Sequence, residues 1–382
     1  MTDHVRRAER WARDPHTAPM LLVDGHLDLA MNALLWNRDL TLEVDALRDQ
    51  ERSQGVEGPG RGRNTVTIPE LRHAGVGLSL ATVLARTGGA PTPALPRYAT
   101  SEIAYGVAQG QLAYYRMLER LGYMRLVGDR RSLSEHWAAW SAWRAAGAPI
   151  GQEPVHGIVL TMEGADSVPA PEHLEGWYQD GLRILGMTHY MDSRYAHGTG
   201  TEGGLKPAAA GLLAVMTDLG MALDLTHLAD ESFWQALELW DGPVLASHQN
   251  ARALVPGERQ FDDDQLRAVI ERGGVVGAAL DAWMLVPGWE RGVTSPEVVG
   301  LDAVADHLAH VCELAGNTSH VAIGSDLDGG FGTEQTPREL DTIADLQKLP
   351  ALLRHRGFSP ADVAAIMHGN WLRWLETVLD ER

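Results

Sequence analysis

The chain has 382 residues, with 32 Lys+Arg against 51 Asp+Glu, and its formal net charge of -19 repels phosphate backbones and anionic bilayers, which argues against nucleic-acid and membrane partners. A hydrophobic share of 45% and a charged share of 22% belong to a soluble globular protein and exclude a disordered one, while 41 Gly and 19 Pro predict many tight connections. Cys312 is the only cysteine, so an intrachain disulfide and a paired-cysteine metal knuckle are both excluded, and a reducing compartment fits.

Residues 1–20 read as a polar N-terminal extension. They lack the apolar centre of a signal peptide, no later stretch holds 18 uninterrupted apolar residues, and a cytoplasmic location is expected. From 21 to 382 the pattern is that of one domain in which short apolar runs alternate with segments of helical spacing. Eight runs stand out: LLVDGHLD from Leu21, GVGLSLATVL from Gly75, GIVLTMEG from Gly157, ILGMTHY from Ile184, MALDLTH from Met221, PVLASH from Pro243, GVVGAAL from Gly274 and HVAIGSD from His320. Near-continuous apolar strands need cover on both faces, which helices around a (β/α)8 TIM-type barrel supply; an open doubly wound sheet is the alternative. Six of the eight runs carry His, Asp or Glu at or just past their C-terminal ends, and in a barrel those ends share one rim, which favours the barrel.

Two Gly-, Pro- and charge-rich segments, LRDQERSQGVEGPGRGRNTV from Leu47 and ARTGGAPTPALPRY from Ala85, read as rim-loop insertions. The GPGRGR stretch lacks the Gly-Lys-Ser/Thr ending of a phosphate loop. Trp137, Trp140 and Trp143 recur every three residues, one face of a helix, and predict packing rather than a ligand cage.

His26 and Asp28 lie two apart on an extended strand, so imidazole nitrogen and carboxylate oxygen can converge on one cation. Glu163 closes a strongly apolar run and must be paired, hydrogen-bonded or metal-bound, with an arginine partner as the plain alternative. His227 and His248 end neighbouring units in the same way, although a strand-end histidine often only bonds backbone. Asp326 follows HVAIGS and is a candidate base, whereas Asp328, two residues on, reads as a turn- or helix-fixing aspartate. Together His26, Asp28, Glu163, His227 and His248 have the chemistry for two Zn2+ sharing a carboxylate and a water or hydroxide, as amide hydrolysis needs.

The segments VDGHLDLAMN, TMEGADS, MTHY, DLTH, SHQNARAL and IGSDLDGG resemble, in order and spacing, the motifs of the renal (membrane) dipeptidase family of zinc peptidases, from about Leu21 to the NWLRWL segment. The resemblance implies a (β/α)8 barrel in which His26 and Asp28 bind one zinc, His227 and His248 the other, and Glu163 bridges them. It further implies that Asp326 is the acid/base residue, that His189 holds substrate and stabilises the oxyanion, that Arg259 grips the dipeptide carboxylate, and that the protein is a homodimer. On that basis the expected activity is hydrolysis of dipeptides, L-Xaa-L-Xaa and also L-Xaa-D-Xaa, by a metal-bridging hydroxide. Arg259 has a plainer alternative as a surface arginine beside the acidic FDDD. This chain departs from the family pattern in LSLATVLAR after the second strand, in MDSRYAHG after His189 and in LDAW after the seventh, so side-chain preference does not carry over. Two other readings stand beside the dipeptidase: a metal-dependent amidohydrolase acting on another small carboxylated amide or lactam, and a barrel that has lost catalysis and carries peptides or metal.

Overall fold

The computed structural model describes residues 18–92 and 95–381. Most of the polar extension, and Pro93 and Ala94 of the second glycine-rich loop, lie outside the described residues. Among the described residues nine parallel strands make the sheet: β1 Leu22–Leu27, β2 Val76–Val83, β3 Met124–Leu126, β4 His156–Glu163, β5 Ile184–Gly186, β6 Ala222–Asp224, β7 Val244–Leu245, β8 Val276–Ala278 and β9 Val321–Ile323. Their order is β7-β6-β5-β4-β2-β1-β9-β8, and a bridge between Ala246 and Val276, with Gly277 N–H donating to the Ala246 carbonyl at 2.8 Å, joins β7 to β8 and closes the ring. The result is an eight-stranded (β/α)8 barrel with helices around it, and each of the eight apolar runs forms one of its strands.

β3 is the strand the sequence pattern does not announce. MRL is too short to show a period, and it pairs only with the start of β4, Met124 opposite His156, while β5 takes the far end of the same edge from Thr161 to Glu163. The first expected rim loop is also partly helix. Val44–Ser53 forms a helix that buries Val44, Leu47, Arg48 and Glu51, so spacing on one face outweighs the charge-rich composition that suggested a loop. Only the following glycine-rich portion is irregular.

Period two sorts the strand side chains between two cores. Val23, Leu78, Leu80 and Val159 point into the barrel, whereas Val76, Ala81, Val83, Ile158, Leu160 and Met162 face the surrounding helices. The barrel interior continues into the last helix, Asn370–Val378, whose Trp371 and Trp374 plug the N-terminal end and donate their indole N–H groups to the Ile323 and Val244 carbonyls at 2.8 and 3.0 Å. Gly25 is required beneath this plug, because a Cβ there would lie 2.5 Å from the Trp371 ring. With the N-terminal end filled by indoles, the barrel opens at its C-terminal rim. The tryptophan stripe packs as its spacing predicts: Trp140 and Trp143 are buried on the helix Arg130–Ala145, and their N–H groups bond the Val155 and Pro149 carbonyls. Among the described residues no helix is long and apolar enough to cross a membrane.

Candidate metal centre

The register of β1 decides where the first two candidate ligands point. Asp24 pairs with Ser79 but Leu27 with Ala81, so β1 carries one extra residue, a bulge. Val23 and Gly25 face the barrel interior below the bulge, Leu27 faces the helices above it, and His26 and Asp28 are turned together to the rim. Buried Asp24 holds the bulge by accepting from the His26 and Ser325 N–H groups at 3.1 and 2.8 Å. Glu163 is the last residue of β4, and His189, His227, His248 and Asp326 each stand three residues past the ends of β5, β6, β7 and β9. His227 and Asp326 have left-handed backbones, φ 69° and 57°, a conformation that costs energy in most side chains and clusters where function demands it.

The side chains converge on the Glu163 carboxylate. Its Oε1 lies 3.2 Å from His227 Nε2, 3.5 Å from His248 Nε2, 3.6 Å from His26 Nε2 and 3.7 Å from His189 Nε2. His26 Nε2 is also 3.8 Å from both Asp28 Oδ1 and Asp326 Oδ1. Three overlapping sets, His26 with Asp28 and Glu163, Glu163 with His227 and His248, and His26 with His248 and Asp326, each bring ligand atoms within 4.8 Å of one another. Among the described residues no arginine pairs with Glu163; imidazoles surround it instead.

The donor set fits divalent metal. His26 Nε2 and Glu163 Oε2 are buried without a hydrogen-bond partner, and the Nε2 atoms of His227 and His248 face each other at 3.1 Å. Their other ring nitrogens are occupied: Thr199 Oγ1 lies 3.1 Å from His227 Nδ1, and Ser247 Oγ lies 2.9 Å from His248 Nδ1 and 3.3 Å from His26 Nδ1. Such outer partners fix ring orientation and leave the Nε2 lone pairs directed inward. Thr82, two residues beyond inward-facing Leu80, donates its hydroxyl to Asp28.

Burial and mutual charge shift the groups of the cluster in opposite directions. Burial pushes Asp326 well above the usual carboxylate range and Asp28 up to about 6, with the Glu163 charge adding to both. Burial opposes ionisation of Glu163, yet the neighbouring His189 and His26 pull it well below its ordinary value. Burial would lower His26, but Glu163, Asp28 and Asp326 raise it to about 10, whereas burial dominates at His189, lowered to about 4, and at His227 and His248, held well below 6.5.

A cavity of about 350 Å3 opens above these residues, with Asp28, Glu163, His189, His227, His248 and Asp326 in its wall. Arg259 is placed beside the centre rather than in that wall. It is 3% exposed, donates to the His248 carbonyl at 2.9 Å and to Gln249, and leaves its Nε without a partner. It is no surface arginine, and the acidic FDDD segment is engaged by Arg252, Arg267 and His310. Asp328 stays structural: its carboxylate accepts from Thr65 N–H at 2.7 Å and Val66 N–H at 3.0 Å, tying a rim segment down. The cations that do line the cavity, Arg86 and Arg291, and the buried acid Asp281 beside Arg291, carry no motif in the sequence; they fall within the two departures LSLATVLAR and LDAW and the segment after it.

Residues 16–381 match the family model described as membrane dipeptidase, peptidase family M19. An uncharacterized protein in the pqqA 5' region of Klebsiella pneumoniae is 30% identical over 59% of this chain and 84% of its own length. An uncharacterized dipeptidase, C3A11.10c, of Schizosaccharomyces pombe is 30% identical over 58% of this chain, and the match spans about half, 53%, of that relative. Among solved structures, a metallopeptidase from Rhodobacter sphaeroides liganded with a phosphinate mimic of the dipeptide L-Ala-D-Ala superposes with a TM-score of 0.73 at 25% identity, covering 94% of this chain and 99% of that one. The chain therefore belongs to the membrane dipeptidase family, peptidase family M19, and is a metallopeptidase.

Proposed function

We propose that this enzyme is a zinc dipeptidase holding two Zn2+ per chain, one on His26 and Asp28, the other on His227 and His248, with Glu163 shared. The observation that carries the reading is the Glu163 carboxylate at 3.2 to 3.6 Å from the imidazoles of both pairs, with the buried Nε2 of His26 and Oε2 of Glu163 left without partners. Bound zinc would activate a bridging water or hydroxide and polarise the scissile carbonyl.

The chain's own residues supply the rest. Asp326, 3.8 Å from His26 and held in its protonatable range by burial, takes the proton of the attacking water on a carboxylate oxygen and passes it to the leaving amine. His189 faces the cavity as a neutral imidazole and donates one N–H to the developing oxyanion. Arg259, buried and free of any described carboxylate, has N–H groups left over for the free carboxylate of the dipeptide. The cavity is at the small end for organic ligands, which suits a dipeptide. The phosphinate of L-Ala-D-Ala held by the Rhodobacter enzyme supports including L-Xaa-D-Xaa substrates. A single buried cysteine and the acidic surface support a cytoplasmic location, and the family resemblance supports a homodimer.

Zinc content per chain, measured together with rates on a panel of L,L and L,D dipeptides, tests the proposal. Two zinc ions and turnover are expected, and a fully metallated protein inert to every dipeptide would overturn it. The altered segments LSLATVLAR and LDAW, which bring Arg86 and Asp281 into the cavity wall, favour a second reading, hydrolysis of another small carboxylated amide or lactam; turnover of N-acyl amino acids without turnover of dipeptides would decide for it.

A further inference from the structure

Resting on the dipeptidase reading, we propose that Arg86 makes the pocket selective for dipeptides with an acidic side chain, an Asp or Glu residue whose second carboxylate it receives. Arg86 follows β2, in the stretch where this chain departs from its family, and its side chain lines the same cavity as Glu163, His189 and Asp326. The residue is 7% exposed, and its Nε is buried with no partner.

Its known contacts leave the charge unmatched. One terminal nitrogen donates to the Ala90 carbonyl at 2.9 Å and the Leu95 carbonyl at 3.3 Å, which are dipoles and not anions. Among the described residues no carboxylate reaches ion-pair distance of Arg86; Asp166 and Glu163 act on it only from farther away. Both Asp166 oxygens are engaged, accepting from the Thr87 and Arg194 N–H groups at 2.7 and 2.8 Å, and Glu163 belongs to the metal centre. A buried guanidinium without a counter-ion is costly, and a substrate anion is what relieves it.

The other cation in the wall does not compete for that anion on equal terms. Arg291 is 3.3 Å from the Asp281 carboxylate, which is 3% exposed and also accepts from Gln335 at 2.7 Å. Arg291 and Asp281 therefore pair, leaving Arg86 as the cation of the wall that has no carboxylate at ion-pair distance among the described residues. A neutral dipeptide brings one carboxylate, which the proposed reading assigns to Arg259; Arg86 has work only when the substrate brings a second. The loop it tethers packs closely on the segment after His189, since a Cβ at Gly88 would lie 1.7 Å from the Asp192 carbonyl oxygen.

Kinetics of zinc-loaded protein on Ala-Ala, Ala-Asp, Ala-Glu, Asp-Ala, Glu-Ala and Ala-Lys, each also with a D-residue at the carboxyl side, supply the test. At least one acidic dipeptide is expected to exceed Ala-Ala about tenfold or more in kcat/KM, mostly through KM. In Arg86→Gln that ratio should collapse toward one, Arg86→Lys should recover part of it, and Arg86→Glu should shift preference toward Ala-Lys, a gain that a merely loosened loop cannot produce. Equal loss on all dipeptides in Arg86→Gln would show that Arg86 only tethers its loop or grips the main-chain carboxylate, and would overturn the proposal. Turnover of neutral dipeptides without acidic preference removes this inference alone, whereas no turnover of any dipeptide removes the dipeptidase reading with it.

Discussion

Lowering the pH from 7.5 to 5 should destabilise the protein through His156, at the sealed end of the barrel. This imidazole is buried between two fixed partners, the Val76 carbonyl 2.9 Å from Nδ1 and the Ser79 hydroxyl 2.9 Å from Nε2. A carbonyl can only accept, so Nδ1 carries the proton and Nε2 accepts from Ser79. Burial lowers the His156 pKa from 6.5 to about 3. The unfolded chain therefore binds a proton that the folded one refuses: stability is complete above pH 6.5 and is lost as pH falls toward 3. At pH 5 the unfolded histidine is about 1.5 pH units below its pKa, a loss of about 2 kcal/mol from this residue. Urea unfolding of chelator-treated wild type and His156→Gln at both pH values isolates that contribution, because metal-linked protons are absent and the other buried histidines are common to both. The variant is less stable at pH 7.5 but should lose about 2 kcal/mol less on acidification. Equal losses in the two proteins would refute the assignment of a neutral, proton-excluding His156.

Ser247→Ala removes the hydroxyl shared by His26 and His248 and should weaken zinc affinity about 10- to 100-fold, read by competition with a chromophoric chelator. Unchanged affinity would mean that the rings are oriented by packing alone. Asp326→Asn should retain zinc while kcat falls about 10^2- to 10^4-fold; a variant that keeps its rate has another acid/base. Gly198→Ala places a Cβ 2.2 Å from the His189 carbonyl oxygen and 2.5 Å from Thr188 Oγ1, so the loop carrying His189 must shift. A loss of about 1–3 kcal/mol in thermal unfolding, with lower activity, is expected, and wild-type behaviour would show the loop to be compliant.

The Arg86 reading and the metal centre differ in how visible they are in the chain. His26, Asp28, Glu163, His227 and His248 are legible because a barrel strand enforces its own grammar: an apolar run, then a polar residue at or just past the end. Such endings on four separate runs supply the five residues, and their order matches one family. Arg86, Asp281 and Arg291 have no such signature, since nothing local distinguishes an arginine aimed into a cavity from one aimed at water. Arg259 shows the same limit, for its spacing from His248 is visible, but only the fold shows that it is buried beside the centre and not paired with FDDD.

By itself the sequence determined the eight strands, the barrel and the residues that collect at its rim, because hydrophobic period and strand-end polarity are local properties that survive in one dimension. It was silent on β3, whose three residues exist as a strand only because the lower edge of β4 is free to pair. It misread part of the first loop, where a buried helical face overrides a charged composition. The tertiary structure alone decided the convergence of the four other candidate ligands on the Glu163 carboxylate, which depends on a bulge in β1 and on ring closure. It also decided which charges in the cavity wall are neutralised and which is not, since ion pairing is set by distances across loops that are remote in the chain.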